Sequence, residues 1–424
     1  MLRAIPTEPV EPPVRRVALL SVHTSPLAQP GAGDGGGLNV YVLQVARGLA
    51  ARGVGVDVFT RSSSPSAPPT VEVAPGLAVH HVRAGPCRPL PKEELQSHLP
   101  EFAMELLQHP TAGTHEILHA HYWLSGWAGK LVGERWGVPL VQTFHTLGAV
   151  KNASLAPGDV PEPASRLAAE RRVVGAADRI VGLTCGEARL LYRSFGLSGA
   201  RISVVPAGVD IQRFRPGPVD FAALPELPPG DGPLLLFVGR LQPLKGPDVA
   251  VRTLAEVRRQ HPDARLLIVG GVSGSGTGRS GPDELRALAD ELEVADAVRV
   301  AGARPHAHLA HLYRAADVVL TPSRTESFGL VALEAQATGT PVVAADVGGL
   351  SAVVNGGGTL VPGHDPRDHA AAVVRYLDDP ALVRATSEAG RRWGVSCSWD
   401  RTVDGLLRVY GQVLGKDVRS RRAG

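Results

Sequence analysis

The chain has 424 residues, of which 44% are hydrophobic and 20% are charged, and its formal net charge is +3. This length predicts two domains of roughly 200 residues each, because a single hydrophobic core seldom serves a longer chain. The near balance of charge disfavours a protein built to grip nucleic acid. No apolar run reaches the ~18–20 residues that a membrane-spanning helix needs. We therefore expect neither nucleic acid nor a membrane as a partner.

The chain begins with a polar, proline-rich stretch, 1–14, which lacks the apolar core of a secretory signal and which we interpret as a tail. Three cysteines, Cys87, Cys185 and Cys397, are too few and too widely spaced to suggest a disulfide framework. A reducing compartment is therefore favoured, and we expect a cytoplasmic protein.

The next segment, 15–215, alternates short β-branched apolar runs with helical patterns, beginning with RVALLSV, a helix and VDVFT. After a proline-rich linker at 216–232, the same alternation resumes over 233–395 with PLLLFVGR and RLLIVGG. Strands that alternate with helices are typical of βαβ units and a parallel sheet. The sequence therefore predicts two Rossmann-like α/β domains, with ligands bound in a central cleft at the carboxyl ends of their strands.

The last segment, 396–424, carries an apolar stripe at helical spacing from Trp399 to Leu414. We expect this helix to cross between the two domains, with a short tail after it.

A glycine-rich loop, GAGDGGGLN at 31–39, lies directly before the first helix. Glycines at this place let backbone N–H groups approach an anion at the positive end of the helix, which favours a phosphate or a sugar. Gly31, Gly33 and Gly36 also match GxGxxG, so an NAD(P)-binding oxidoreductase stays an alternative. Against it, about eight residues separate the strand from this loop, and the next strand ends in Thr60-Arg61 without an acid for the ribose.

Two basic residues follow the first strand of the second domain, in FVGRLQPLKG. Arg240 offers a planar fork and Lys245 a point charge, a pair suited to two adjacent phosphates. Because only five of the 44 basic residues are lysines, a lysine at this position is informative. A solvated surface pair is the simpler alternative.

Two glutamates, Glu326 and Glu334, follow the strand VVLTPS with a spacing of eight residues. At 1.5 Å per helical residue that spacing is ~12 Å, the scale of a sugar diphosphate linked to a ribose. It does not match the closer pair of carboxylates that a glycosidase uses. We therefore expect one glutamate to bind a sugar hydroxyl and the other a ribose hydroxyl, although helix-surface glutamates are an equal alternative.

Four histidines, His23, His119, His121 and His145, follow strand patterns of the first domain. The alternation in His119-x-His121 puts both rings on one face of a strand and would suit the start of a metal site. No further ligand cluster at metal spacing accompanies them, so buried, hydrogen-bonded histidines are favoured over a metal hydrolase.

Together these motifs resemble the GT-B glycosyltransferases of family 4, whose mark is a Glu-x7-Glu motif with an upstream Gly-Arg…Lys. The resemblance runs from about Arg16 to Leu414. It rests on long stretches: SVHTSPLAQPGAGDGGGLNVYVLQ, HAHYWLSG, FHTLGAVKN, FVGRLQPLKGPDV and ESFGLVALEAQATGTPVV.

This resemblance implies transfer of N-acetylglucosamine from UDP-GlcNAc to 1D-myo-inositol 3-phosphate with retention at the anomeric carbon, the first step of mycothiol biosynthesis. The residues it places around the donor are Gln29, Pro30, Gly37, Arg240, Lys245, Arg304, Glu326 and Glu334. Those it places around the acceptor are His23, Asp34, Gly35, Gly36, Gly37, Leu38, Asn39, Lys92, Tyr122, Thr146 and Arg166. The catalytic candidates are Arg240, Lys245, Glu326 and His145, the last steadying the sugar as positive charge builds.

The resemblance also implies a homodimer and a peripheral Mg²⁺ held largely by backbone groups at Tyr313, Arg314, Ala316 and Thr340. No cofactor is needed for the chemistry, because Arg240 and Lys245 can stabilise the UDP leaving group. A transferase of the same family with another donor or acceptor, such as an inositol-lipid mannosyltransferase, stays an alternative. The absence of a basic amphipathic helix in the sequence weighs against a lipid acceptor.

Overall fold

The structure is a computed structural model that describes residues 12–31, 33–155, 160–272 and 281–415. Most of the predicted tail at 1–14 and the end of the chain from 416 lie outside the described residues.

Eight strands in the described residues of the first half form one sheet. They are β1 (Arg16–Leu20), β2 (Gly55–Arg61), β3 (Thr70–Ala74), β4 (Leu77–Val82), β5 (Ile117–His121), β6 (Leu140–Thr143), β7 (Arg179–Gly182) and β8 (Ile202–Val204). Their spatial order is β3-β4-β2-β1-β5-β6-β7-β8, and every pair is parallel except the antiparallel β3–β4.

The helices of this half cover both faces of the sheet, which is why Val17 to Leu20 of β1 are all fully buried. The first helix buries an apolar stripe of Val42, Val45 and Leu49 against the sheet. The helices are α1 (Gly37–Ala50), α2 (Lys92–Leu95), α3 (Leu99–Gln108), α4 (Tyr122–Trp136), α5 (Gly148–Asn152), α6 (Ala164–Ala176) and α7 (Cys185–Phe195).

The described residues of the second half form a six-stranded, entirely parallel sheet in the order β11-β10-β9-β12-β13-β14. Its strands are β9 (Leu234–Val238), β10 (Arg265–Val269), β11 (Val298–Ala301), β12 (Val318–Thr321), β13 (Val342–Ala345) and β14 (Gly358–Val361). Its helices are α8 (Pro247–Val257), α9 (Pro282–Glu291), α10 (His306–Ala315), α11 (Leu330–Thr338), α12 (Leu350–Val353), α13 (Pro366–Asp378) and α14 (Pro380–Ser396).

These two parallel sheets confirm the predicted α/β class with two Rossmann-like domains. Between β8 and β9 lies the predicted linker at 216–232, while the domain boundaries themselves stay a prediction. The sequence analysis missed β3, β4 and β14. In β3 and β14 most side chains remain partly exposed, so these edge strands lack the continuous apolar run that marks a buried strand.

The chain crosses back to the first domain between α14 and the final helix, whereas the sequence analysis expected the final helix itself to cross. Helix α14 packs on the second domain, where Arg391 donates a 2.8 Å hydrogen bond to the carbonyl of Ala337. The final helix, α15 (Trp399–Val413), packs on the first domain, where Thr402 donates to the carbonyl of Pro206 at 2.9 Å. No helix in the described ranges combines the length and the apolar character that crossing a bilayer requires.

Candidate active site

The loop between β1 and α1 spans the cleft and touches the second domain. The carbonyl of Gly31 accepts a 2.8 Å hydrogen bond from the N–H of Gly271. A side-chain carbon at Gly36 would lie 3.5 Å from Nε of Arg240, and one at Gly37 would lie 3.4 Å from Leu330. The glycine-rich loop therefore brings the carboxyl ends of both sheets together, as the strand pattern predicts.

Asn39 holds this loop in place. Its Oδ1 accepts the N–H of Gly36 at 2.9 Å, and its Nδ2 donates to the hydroxyl of Thr24 at 2.8 Å. Asn39 is only 1% exposed, so its side chain is not available for a direct contact with the acceptor. Its contribution to acceptor binding would be to hold the loop in place. Of the other predicted loop residues, Gly35 is buried, Pro30, Gly36 and Leu38 are half-buried, and Gln29 and Gly37 are exposed.

Lys92 of α2 faces the same loop. Its Nζ lies 2.8 Å from Oδ1 of Asp34, and both side chains are about three-quarters buried. Burial lowers the pKa of Lys92, the Asp34 carboxylate opposes that shift, and the Arg240 guanidinium adds to it. Two cations from different domains thus lie near one carboxylate.

His23, at the end of β1, lies among these cations. Burial lowers its pKa well below the ordinary value, and the positive charges of Lys92, Arg240 and Arg166 contribute to the shift. Its buried Nδ1 has no hydrogen-bond partner among the described residues. The basic side chains around this neutral imidazole would suit an anion, whose negative charge would balance theirs.

Arg166 of α6 is held beside His23 by acids of its own segment. Its Nε lies 2.8 Å from Glu170 and its Nη1 lies 2.9 Å from Glu162. Its Nη2 donates to the hydroxyl of Thr146 at 3.1 Å, and its guanidinium carbon lies 5.0 Å from the centre of the Tyr122 ring.

Tyr122 completes this group, because its ring centre lies 4.5 Å from that of His23. Burial raises the pKa of Tyr122 to about 12, so its hydroxyl stays protonated. The structure therefore brings together Tyr122, Thr146, Arg166 and His23, four residues that the resemblance places around the acceptor.

On the second domain, Lys245 and Glu326 form an ion pair of 2.5 Å between Nζ and Oε2. Lys245 ends a short turn before Gly246, whose φ is +70°. A side-chain carbon at this position would clash with the carbonyl oxygen of Pro322. Only glycine fits there, so the turn stays close to the end of β12. The carbonyl of Glu326 accepts the N–H of Gly349 at 2.7 Å, which fixes its backbone.

Arg240 lies between the two halves of the site. Burial lowers its pKa, while the carboxylates of Asp34 and Glu326 oppose the shift. Arg240 is thus near enough to both acids to connect the predicted donor and acceptor residues.

Glu334 and Arg304 have other partners. Glu334 accepts from the Tyr313 hydroxyl at 2.9 Å and lies 2.6 Å from Nε2 of His306. Burial lowers the pKa of His306, but the Glu334 carboxylate outweighs burial and raises it. Arg304 lies 3.2 Å from Glu226 of the linker.

The helical spacing assumed between Glu326 and Glu334 was wrong for the first half of that interval. Helix α11 begins only at Leu330, so a continuous helical rise of ~12 Å does not separate the two glutamates.

The residues predicted for Mg²⁺ offer carbonyl and hydroxyl oxygens, of the kind that hard cations accept. The carbonyl of Tyr313 already accepts the Thr340 hydroxyl at 2.6 Å, and Arg314 donates to the carbonyl of Arg215 at 2.8 Å. The N–H of Ala316 bonds to Leu312 within the helix end. In the part of the chain that the structure describes, no three His, Cys, Asp or Glu residues lie together as a metal site. A carbonyl oxygen keeps a second lone pair when it accepts one hydrogen bond, so these residues could still offer oxygens to Mg²⁺, and the site stays a prediction.

The predicted His-x-His pair does share one face, with ring centres 4.3 Å apart. Nδ1 of His121 lies 3.1 Å from Nε2 of His145, and Nδ1 of His119 lies 2.7 Å from the hydroxyl of Tyr410 on α15. Burial lowers the pKa of His145 to about 3, so its ring is neutral. His119, His121 and His145 are therefore buried and hydrogen-bonded, as the sequence analysis favoured.

Several supporting residues escaped the sequence analysis. Glu162 and Glu170 lie four residues before and after Arg166, a helical spacing that offered a signal for them. Tyr410 and His306 offered none, because each meets its partner only across elements distant in sequence.

Comparisons with known proteins agree with this architecture. Residues 36–208 match the family described as glycosyl transferase 4-like domain, and residues 224–393 match glycosyl transferases group 1. A D-inositol 3-phosphate glycosyltransferase from Acidothermus cellulolyticus is 52% identical, covering 95% of this chain and 91% of that protein. D-inositol 3-phosphate glycosyltransferase 2 from Catenulispora acidiphila is 49% identical, covering 96% and 97%.

Solved structures show the same fold. Sucrose-phosphate synthase from Thermosynechococcus elongatus superposes with a TM-score of 0.86 at 34% identity, covering 95% of this chain and 100% of that one. Anabaena HepE, solved in complex with UDP and glucose, superposes with a TM-score of 0.71 at 18% identity, covering 93% and 98%. Family membership favours a glycosyltransferase over the NAD(P)-binding oxidoreductase. The chain belongs to the D-inositol 3-phosphate glycosyltransferase family, within the GT-B glycosyltransferases of family 4.

Proposed function

We propose that this glycosyltransferase transfers N-acetylglucosamine from UDP-GlcNAc to 1D-myo-inositol 3-phosphate with retention of configuration, as the first step of mycothiol biosynthesis. The observation that carries the proposal is the basic group around His23, formed by Lys92, Arg166 and Arg240. This group occurs in a chain whose relatives are named for inositol 3-phosphate.

The acceptor half of the proposal rests on charge. A phosphate monoester needs cationic and N–H or O–H donors, and Lys92, Arg166 and the Tyr122 hydroxyl supply them. The phosphate would take the place of Asp34 beside Lys92, to which Asp34 is paired at 2.8 Å. Asp34 would then be free to accept a hydrogen bond from an inositol hydroxyl.

The donor half rests on Arg240 and Lys245. As the glycosidic bond breaks, negative charge grows on the diphosphate, and preorganised cations in a partly buried cleft stabilise it. Lys245 would leave Glu326, from which it is 2.5 Å away, for a phosphate oxygen. The freed Glu326 carboxylate would accept hydrogen bonds from hydroxyls of the sugar, and Glu334 would do so for the ribose.

Retention follows if the acceptor hydroxyl attacks on the face from which the diphosphate leaves. The C1–O bond to phosphate breaks, the C1–O bond to inositol forms, and the hydroxyl proton passes to a phosphate oxygen of departing UDP. No protein nucleophile is required by this step. His145, neutral because of burial, adds no repulsion as positive charge builds on the sugar ring.

Magnesium, a homodimer and a cytoplasmic location stay predictions. Because Arg240 and Lys245 supply the positive charge that the diphosphate needs, we expect activity to survive excess EDTA. Activity that is lost with EDTA and restored by Mg²⁺ would contradict this, and metal analysis of the purified protein checks the peripheral site separately.

The decisive experiment measures UDP release from UDP-GlcNAc with 1D-myo-inositol 3-phosphate, with plain inositol and with no acceptor. We expect release only with the phosphorylated inositol. GDP release from GDP-mannose with a phosphatidylinositol acceptor would instead support the inositol-lipid mannosyltransferase. If the protein binds UDP but releases no nucleotide with any of these donor–acceptor pairs, the donor assignment would stand and the acceptor assignment would be overturned.

A further inference from the structure

Three histidines, two on β5 and one just after β6, form a row in which each ring contacts the next. His119 and His121 are 0% exposed, and His145 is 8% exposed. His145 and Tyr122, the residue that follows His121, have φ of +60° and +75°, in the left-handed region that non-glycine residues rarely adopt. Backbone strain at two adjacent strand ends is a feature that functional sites retain.

The hydrogen bonds of these rings determine where their protons are. Burial lowers the pKa of His121 well below the ordinary value and that of His145 to about 3, so each ring carries one N–H. Nε2 of His121 is buried without a partner among the described residues, while its Nδ1 lies 3.1 Å from Nε2 of His145.

A proton on Nε2 of His121 would leave a buried N–H unsatisfied, which costs more than a bare lone pair. The proton therefore lies on Nδ1 and is donated to Nε2 of His145. Since that Nε2 accepts, the proton of His145 lies on its Nδ1, which makes no hydrogen bond within the described residues but, unlike Nε2 of His121, is not among their buried atoms without a partner.

Packing holds His121 in this position. The His119 ring lies 4.3 Å from the His121 ring and is itself bonded on both nitrogens, to Tyr410 at 2.7 Å and to Thr143 at 2.9 Å. Tyr41 of α1 packs edge-on against both His121 and His145. The ring of His121 is thus enclosed, and its only polar contact in the described residues is His145.

We propose that His121 is a positioning residue for glycosyl transfer: its Nδ1–H fixes His145 as the Nδ1–H tautomer, which donates a hydrogen bond to a hydroxyl oxygen of the donor sugar. The role of His145 rests on the proposed function. His145 lies close enough to His23 for the two to interact electrostatically, which places it at the cleft. A neutral donor orients the sugar without opposing the positive charge of the transition state.

The test compares His121→Leu, which removes the donor, with His121→Asn, whose amide nitrogen reproduces an N–H near the position of Nδ1. We expect kcat to fall about tenfold or more in His121→Leu, with little change in the KM for UDP-GlcNAc, and to recover largely in His121→Asn. His369→Leu is the matched control, because His369 is likewise fully buried but lies on α13 of the second domain.

A spectroscopic readout is independent of activity. Nitrogen-15 NMR of labelled histidines distinguishes the two tautomers, and the His145 signal is assigned by its loss in His145→Gln. We expect the Nδ1–H tautomer in the wild-type protein and its loss in His121→Leu. A wild-type His145 protonated on Nε2 would overturn the proposal, even if the variants fail to fold.

The two proposals fail in different ways. Absence of UDP release by the wild-type protein would overturn the proposed function, and the NMR result would still decide whether His121 sets the tautomer of His145. Equal losses of kcat in His121→Leu and His121→Asn, with no change of tautomer, would reduce His121 to a packing role.

Discussion

Basic side chains of the cleft lie against carboxylates. Lys92 is 2.8 Å from Asp34, and Lys245 is 2.5 Å from Glu326. Arg166 lies between Glu162 and Glu170. A cation that is partly removed from water needs such a partner to stay charged. The carboxylates beside Lys92 and Lys245 therefore lower the cost of keeping the cleft positively charged, and substrate phosphates would replace them there.

Lys245→Ala should lower kcat at least about tenfold, because it removes a cation from the diphosphate as the leaving group gains charge. Steady-state kinetics of UDP release measure the change. Lys130→Ala is the matched control, since Lys130 belongs to an exposed i,i+4 pair with Glu134. An unchanged kcat in Lys245→Ala would remove this residue from the diphosphate site.

Arg166→Ala should raise the KM for inositol phosphate far more than the KM for UDP-GlcNAc. Because Glu170, 1% exposed, would lose its only salt bridge in the described residues and keep the N–H of Gly148, the variant should also be less stable by about 3–5 kcal/mol. Kinetics well below Tm separate the two effects, and Arg166→Lys keeps a charge for Glu170. The control is Arg172→Ala, an exposed position on α6. Equal changes in both KM values would contradict the acceptor assignment.

At the scale of elements, the site is built from strand ends and from one distant helix. The sequence pattern places β5, β6, β9 and β12 with their carboxyl ends at the cleft, because parallel strands align there. Helix α15 adds a contact that the pattern of strands and helices does not predict. Its Tyr410 reaches across 291 positions of sequence to bond His119 beneath the site.

Tyr410→Phe should destabilise the protein by about 1–3 kcal/mol, because a buried nitrogen of His119 loses its hydrogen-bond partner. Thermal unfolding followed by circular dichroism measures the drop in Tm. Tyr192→Phe serves as control, since Tyr192 is 58% exposed. An unchanged Tm in Tyr410→Phe, or a fall no larger than in Tyr192→Phe, would contradict this contribution of the buried hydrogen bond.

At the scale of the whole molecule, buried neutral histidines make folding stability depend on pH. Burial lowers the pKa of both His119 and His145 to about 3 in the folded state, whereas the unfolded chain protonates histidine near pH ~6.5. Between these values the unfolded state binds more protons, so stability falls as pH drops below about 6.5.

Tm should therefore decrease steadily between pH 7 and pH 5, by an amount that corresponds to about 1 kcal/mol per pH unit for each such histidine. Burial also lowers the pKa of His369, so His369→Leu should make this decrease less steep. His311→Gln, at an exposed position on α10, is the control. A Tm that does not change over this range would indicate that these rings gain protons in the folded state.

The two α/β halves, the glycine-rich loop and the basic and acidic residues at strand ends could be predicted from the amino-acid sequence alone. These follow from local apolar periodicity and from spacing along the chain. Edge strands such as β3 escaped prediction because they lack a buried apolar run.

Which of these residues contact one another depends on how the elements pack. Arg240 approaches Asp34 because the two domains face each other, and Tyr410 approaches His119 because the chain returns to the first domain after α14. Glu334 lies against His306 and Tyr313 because α10 packs beside α11. Such contacts join elements distant in sequence, and they depend on packing that no local pattern encodes.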